Sequence, residues 1–239
     1  MFLNPSLSTA LDRIAERAAD VRRAYTPGAL PVHDDVAAAA TVSDFTLDPL
    51  AVVAPDGAYF VTVDDGGRES YTRDGTLELR GGRLVDGSGH PILGARADGT
   101  LSALAVDPVD EALGRVRDAA VERDGSFVYR REIVDPRSAV SGVQRIVAGL
   151  IALARFPAGT RLESTDGSHF VAPPGVIVQN GRASDGDFGA LVPMRRERSR
   201  IDIDESLLRL KEAYLTFDAL QAAEAAKAHL CKTAMDLLK

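Results

Sequence analysis

Apolar residues near the N-terminus recur at the spacing of an amphipathic helix. Six of them are alternately four and three residues apart: Leu7, Leu11, Ile14, Ala18, Val21 and Tyr25. This heptad spacing is typical of the seam of a coiled coil. Asn4 is a favourable N-cap, and Pro5 suits the first helical position because its missing N–H has no helical partner there. We predict a helix over residues 4–25, which Thr26-Pro27-Gly28 ends, followed by a connector to residue 46.

Residues 201–239 return to a helical pattern, but with two apolar stripes. One stripe contains Leu207, Leu210, Tyr214 and Phe217 and resumes at Ala228, Cys231, Met235 and Leu238. The other contains Leu208, Leu215, Ala219, Ala222, Ala226, Leu230 and Leu237. The N-terminal helix covers one stripe and leaves the other in water, so the pattern predicts assembly. We assign eleven residues to the assembly interface: Leu7, Leu11, Ile14, Val21, Leu207, Leu210, Tyr214, Phe217, Leu230, Met235 and Leu238.

The middle of the chain, residues 47–200, has the pattern of a β domain. Apolar residues alternate or cluster in short runs, and eight Asp-Gly dipeptides separate them, beginning at Asp56-Gly57 and ending at Asp185-Gly186. Asp-Gly favours turns that need positive φ, so we predict short strands joined by hairpins. A helix is predicted at 108–122, where Asp107 can cap it and Pro108 can begin it. The fold class is therefore α+β, with coiled-coil-like helices at 1–46 (including the connector) and 201–239 flanking the β-rich domain.

Composition narrows the function classes. The 239 residues carry a net charge of −7, which argues against nucleic acid or an anionic membrane as the main partner. Cys231 is the only cysteine, which excludes an intramolecular disulfide framework and a cysteine-based zinc cluster. The longest apolar run, Ile146–Ala154, is too short to cross a bilayer, so no membrane insertion is expected. The first residues show no basic flank before an apolar run, so we expect no cleavable signal peptide.

No arrangement of residues in the sequence predicts catalysis. His90 and His169 have no accompanying nucleophile motif, and we interpret them as surface or strand histidines. The carboxylates Asp64-Asp65 precede two glycines and indicate a solvated hairpin turn. The basic run at residues 194–198 is either a solvated face or a site for an acidic neighbour. We therefore predict a protein that is not an enzyme and that has no cofactor and no metal.

Three stretches of the β region resemble the bacterial flagellar rod and hook proteins: residues 48–63, 71–77 and 82–89. The strongest signal is the pentapeptide at 71–75, which reads Tyr-Thr-Arg-Asp-Gly. The residues that carry the resemblance are Phe60, Tyr71, Thr72, Arg73, Asp74 and Gly75. Residues 149–157 and 165–167 are similar to the second conserved β stretch of that family, and residues 215–238 to its C-terminal helix. The family's asparagine-rich stretch after the first helix is missing here.

The resemblance implies a structural role. In such proteins the terminal helices of neighbouring subunits pack as concentric layers of a hollow tube, and the β domain decorates its outside. The expected partners are further copies of the chain and neighbouring flagellar axial proteins, at the basal body in the cell envelope, after export. A rod subunit is favoured because the middle domain is short for a hook subunit. The alternative is a secreted or surface β-domain binding module carried on a coiled-coil oligomerisation stalk.

Overall fold

The chain has a mixed α+β fold, with a helix near each end and a β-rich middle. The computed structural model describes residues 5–31, 41–64, 66–95, 100–134 and 141–237. The chain divides into two units. One contains Met1–Tyr25 and Ile201–Lys239, and the other is Thr26–Arg200. The described part of the connector therefore belongs to the β-rich unit.

The helical unit is built from two helices of unequal length that contact each other. Helix α1 spans Pro5–Arg23 and helix α3 spans Ile203–Leu237. At about 1.5 Å per residue, 19 residues extend about 28 Å and 35 residues extend about 52 Å. Helix α1 is therefore long enough to accompany only about half of α3. Among the described residues, no helix combines the length and the apolar character needed to span a bilayer.

The β-rich unit contains short strands and one short helix, α2 (Pro108–Ala112). Its first eight strands are β1 (Ser43–Phe45), β2 (Val52–Val53), β3 (Ala58–Val63), β4 (Glu69–Thr72), β5 (Glu78–Arg80), β6 (Arg83–Val85), β7 (Leu93–Ala95) and β8 (Leu101–Ala103). After α2 come β9 (Val116–Val121), β10 (Ser126–Val134), β11 (Ser141–Leu150), β12 (Ala152–Arg155), β13 (Glu163–Ser164), β14 (His169–Val171), β15 (Gln179–Arg182), β16 (Val192–Pro193) and β17 (Arg195–Glu197).

The strands pair in antiparallel fashion. The largest sheet has the order β13-β14-β4-β3-β12-β15, and a second sheet has the order β11-β10-β9. Four two-stranded pairs accompany these sheets: β1-β17, β16-β2, β5-β6 and β7-β8. The pairing of β1 with β17 joins the start of the unit to its end, because Ser43 lies opposite Glu197.

The core lies on both faces of strand β3. Phe60 belongs to one buried apolar cluster, together with Phe127 and Leu153. Its neighbours Tyr59 and Val61 point to the other face and belong to a second buried cluster. A strand that is covered on both faces reads as a continuous apolar run, which explains the sequence of β3. Each fully buried side chain of this size contributes about 1.5–3 kcal/mol to stability.

The Asp-Gly dipeptides serve two different purposes. Asp124-Gly125 and Asp166-Gly167 connect β9 to β10 and β13 to β14, and both glycines have positive φ, as predicted. Asp74-Gly75 is not a hairpin turn, so that prediction was wrong. The φ of Gly75 is not positive; a Cβ there would collide with the carbonyl oxygen of Val52. This dipeptide is needed for a close approach of two backbone segments rather than for a turn. Asp65 and the dipeptide at 98–99 lie outside the described residues.

The helix predicted at 108–122 is wrong beyond residue 112. Asp107 does cap α2, since its carboxylate accepts a hydrogen bond from the backbone N–H of Val109 at 2.8 Å. Gly114 then takes a positive φ of 61° and ends the turn. Residues 116–121 form β9 and pair with β10, where Phe127 lies opposite Val121. The apolar spacing of this short segment fits a half-buried strand as well as a helix, and tertiary pairing decides between them.

We predict that Gly75→Ala strongly destabilises the β-rich unit. The added methyl group displaces the backbone of β2, so the free energy of unfolding should fall by about 3 kcal/mol or more in urea denaturation followed by circular dichroism. Gly142→Ala is the matched control, because a Cβ there meets no atom within 4 Å. The control should be neutral or stabilising by up to about 1 kcal/mol. Equal effects of the two substitutions would contradict the close approach at Gly75.

Candidate functional site

The predicted assembly residues of α1 differ in their exposure. Ile14 is buried, and Leu7 and Val21 are half-buried. Leu11 is 40% exposed and Tyr25 is 81% exposed. The buried stripe of the N-terminal segment instead includes Ala10 and Ala24, so the seam predicted through Leu11 and Tyr25 is shifted. The buried side of this segment therefore contains small alanines beside the larger Ile14.

The apolar stripe predicted on the first half of α3 is divided in the same way. Leu210 and Phe217 are half-buried, whereas Leu207 is 47% exposed and Tyr214 is 50% exposed. Burial along α3 follows the spacing of Ile203, Ser206, Leu210, Ala213, Phe217 and Leu220. The coiled-coil character of the two helices stays a prediction.

The second half of α3 is exposed. From residue 225 to residue 237 every described side chain is exposed, and Leu238 lies outside the described residues. Seven large apolar residues of α3 are between 47% and 82% exposed: Leu207, Leu208, Tyr214, Leu215, Leu230, Met235 and Leu237. Single exposed apolar residues are common, but seven large ones on one helix indicate an interaction surface. They come from both predicted stripes, and Met235 lies on the same side of the helix as Leu210 and Phe217. We call these seven residues together the α3 apolar face.

The pentapeptide at residues 71–75 lies inside the β-rich unit. All five of its residues are buried. The ring of Tyr71 packs edge-on against Phe156, with ring centres 4.9 Å apart. The hydroxyl of Thr72 donates to the carbonyl oxygen of Ser168 at 2.7 Å and accepts from the backbone N–H of Asp74 at 3.0 Å. This motif therefore holds strands β4 and β14 together.

Arg73 forms a buried ion pair with Glu197. Its Nε lies 2.9 and 3.0 Å from the two carboxylate oxygens, and its Nη2 lies 2.8 Å from Oε2. The guanidinium also donates to the carbonyl oxygen of Ala58 and to the hydroxyl of Thr41. Arg200 adds a second cation to Glu197 at 3.2 Å. These contacts make Arg73 a structural residue that joins β4 to both ends of the unit.

Two further residues pack around this ion pair. Gly28 has a φ of 66°, and a Cβ there would lie 2.6 Å from the backbone carbon of Arg73, so only glycine fits. Tyr59 places its ring 5.7 Å from the Arg73 guanidinium. Burial raises the pKa of the Tyr59 hydroxyl to about 12, against the smaller opposing effect of Arg73. The phenol is therefore a neutral part of the core.

A second polar cluster joins two loops that are distant in sequence. Asp86 follows β6, His90 lies four residues later, and His169 begins β14. The His169 Nε2 atom lies 2.7 Å from Asp86 Oδ2 and 3.1 Å from His90 Nδ1. Asp86 Oδ2 and His90 Nδ1 are 4.0 Å apart. These three atoms all lie within 4.8 Å of one another, an arrangement that can hold a metal ion. We call Asp86, His90 and His169 the His–Asp cluster.

Neighbouring groups fix the orientation of the cluster. The Asp86 Oδ1 atom accepts hydrogen bonds from the backbone N–H groups of Ser88 and His90, at 2.9 and 3.0 Å. This leaves its other oxygen directed at the histidines. On the far side of the His169 ring, Nδ1 lies 2.8 Å from Asp166 Oδ2. Asp166 is itself held by the backbone N–H groups of Ser168 and His169.

The cluster has strongly altered electrostatics. Burial lowers the pKa of His169, but the hydrogen bonds that its ring donates to Asp166 and Asp86 outweigh burial and raise this pKa to about 9. Burial likewise raises the pKa of Asp166, but the hydrogen bonds from His169 and Ser168 outweigh burial and hold it well below its usual range. Nearby, burial raises the pKa of Asp74, and the charge of Asp86 adds to the effect.

Sequence reasoning missed this cluster because His90 and His169 are 79 residues apart. Each histidine was interpreted separately, as a surface or strand residue. The structure buries His169 and places its ring beside that of His90. A signal was present in the sequence. Residues 86–90 read Asp-Gly-Ser-Gly-His and residues 166–169 read Asp-Gly-Ser-His. In both loops the aspartate Oδ1 accepts from the backbone N–H of the serine two residues later, which places the following histidine beside the carboxylate.

No protein-family model matches the chain, and no curated protein matches it. The resemblance of residues 48–63, 71–77 and 82–89 to flagellar rod and hook proteins therefore stays a prediction.

We predict that Glu197→Gln destabilises the β-rich unit by about 3–5 kcal/mol, because the Arg73 guanidinium is left buried without its main counter-charge. Urea denaturation monitored by circular dichroism measures the change. Glu122→Gln is the matched control, since Glu122 pairs with Arg145 at 2.7 Å but both side chains are about half exposed. Its effect should be below about 1 kcal/mol. A loss at Glu197 as small as that at Glu122 would show that the buried pair does not hold the unit together.

Proposed function

We propose that this chain is a structural subunit of the bacterial flagellar rod that polymerises through its terminal helices. Two independent features support the proposal. The first is the resemblance of residues 48–63, 71–77 and 82–89 to rod and hook proteins. The second is the α3 apolar face, which carries the argument because it is a large apolar surface on the element that the proposal assigns to assembly.

The lengths of the helices explain why assembly is needed. Helix α3 extends about 24 Å beyond the length that α1 can accompany, at about 1.5 Å per residue. Leu230, Met235 and Leu237 lie in this extension and are 61% to 82% exposed. Burying each of these side chains is worth about 1.5–3 kcal/mol. The helices of neighbouring subunits bury these side chains. The same contact then repeats between successive copies along the tube.

The β-rich unit fits the role of a domain carried by the helices. It has two apolar clusters of its own, and the Arg73–Glu197 pair joins its first and last segments. Such a domain keeps its fold whether or not the helices have found their partners. The proposed partners are further copies of the chain and neighbouring axial proteins, in the basal body after export.

The test uses the variant Leu230→Asp/Met235→Asp. Two carboxylates on the α3 apolar face should abolish growth of assemblies or raise the critical concentration for assembly more than tenfold, because the burial of two side chains is lost. Sedimentation velocity and negative-stain electron microscopy of the purified protein measure this. The circular-dichroism unfolding transition of the β-rich unit should not change.

Ile177→Asp is the matched control. Ile177 is 83% exposed but lies in the β-rich unit, so its substitution should leave assembly unchanged. Tubes that lengthen with concentration support the proposal, since open helical polymers have no fixed size. A closed oligomer of fixed number would instead support the binding module on a stalk. A monomer at all concentrations would contradict both functions.

A further inference from the structure

We propose that the His–Asp cluster is a binding site for a divalent transition-metal ion of the zinc type, ligated by Asp86, His90 and His169. The proposal does not depend on the flagellar function. It assigns to the β-rich unit a metal centre that ties the loop after β6 to the start of β14.

The separations of the donor atoms fit such an ion. In a tetrahedral site with metal–ligand distances of about 2.0–2.1 Å, two ligand atoms lie about 3.3–3.4 Å apart. The three observed separations are 2.7, 3.1 and 4.0 Å, between Asp86 Oδ2, His90 Nδ1 and His169 Nε2. Two separations are shorter than that value and one is longer, so changes of about 0.2–0.7 Å in these separations bring all three atoms to ligating distance.

The surroundings resemble those of a metal centre rather than of an ordinary histidine pair. Ligating histidines commonly donate their second ring N–H to a carboxylate, which fixes the ring and its tautomer. Asp166 occupies this position at 2.8 Å from His169 Nδ1. The backbone N–H groups that hold Asp86 Oδ1 direct Oδ2 at the histidines, where it lies 2.7 Å from His169 Nε2. A bound ion replaces the proton between these two atoms. Both the imidazole and the carboxylate are therefore oriented before an ion binds.

The donor set selects the class of ion. Two imidazole nitrogens and one carboxylate oxygen favour zinc and its transition-metal neighbours, whereas magnesium and calcium prefer oxygen ligands alone. Asp86 is buried and His169 is 3% exposed, so water competes weakly with the ion for these two ligands. The His90 side chain is 19% exposed, which gives the ion a path into the site. Three protein ligands leave a fourth position for water or for an added ligand.

Binding of zinc alone to the full-length chain, freed of metal by a chelator, tests the proposal. Isothermal titration calorimetry should show one tight site per chain, and zinc should raise the melting temperature because it binds the folded state. Cobalt should give the visible absorption bands of a tetrahedral site, whereas magnesium and calcium should not bind. His90→Ala should remove the tight site, and Asp166→Asn should weaken it by about 10–100-fold.

A control variant removes the described histidine and the described cysteine that lie outside the His–Asp cluster. His229→Ala/Cys231→Ser deletes an exposed histidine and the exposed cysteine of α3, and it should bind zinc as the unaltered chain does. His90 is the most exposed ligand of the cluster, so its variant is expected to fold, which circular dichroism checks. Absence of a tight site in the unaltered chain overturns the proposal. Equal zinc affinity in a folded His90→Ala variant overturns it too.

Discussion

The buried charge of Arg73 is the constraint around which the β-rich unit is organised. A guanidinium that is 1% exposed must be neutralised and must have its N–H groups satisfied, because an unpaired buried charge is strongly destabilising. Glu197 comes from the end of the unit, Thr41 from its beginning and Ala58 from the central sheet. One side chain therefore requires three distant segments to meet. This is the reason that the unit closes on itself, with β1 paired to β17 beside the ion pair.

The helical unit, in contrast, leaves much of its apolar surface exposed, because α1 is too short to bury the apolar side chains along the whole of α3. The buried side of the two helices contains small residues such as Ala10 and Ser206 beside larger ones such as Ile14, whereas Leu208 and Leu215 lie outside it. A helix that served only to pair with α1 would place its largest apolar residues on the paired side. The observed distribution instead leaves Leu208 and Leu215 exposed on another side of the helix. This exposure supports the proposal that α3 also contacts other molecules.

Local patterns predicted the element types, and tertiary contacts decided the details. The terminal helices and the β-rich middle followed from periodicity and turn residues, because both signals are local. The seam of α1 was shifted from Leu11 because apolar size alone does not show which side approaches a partner closely. Residues 116–121 form strand β9 rather than helix because their backbone pairs with β10. The His–Asp cluster forms where two loops that are distant in sequence meet, one of them beside the paired strands β4 and β14. The Asp-Gly-Ser sequence of each loop predicts the local turn but does not show that the two loops are neighbours.

The pentapeptide and the His–Asp cluster are linked by the same strand. Thr72 lies opposite His169 in the pairing of β4 with β14, and its hydroxyl also holds the carbonyl oxygen of Ser168. On the other side, a Cβ on Gly87 would lie 3.2 Å from the Asp74 carboxylate, so the loop that carries Asp86 packs closely on the motif. The pentapeptide therefore also positions both loops of the cluster. Its packing contacts and the proposed metal site use different atoms, so one short segment of the chain can serve both.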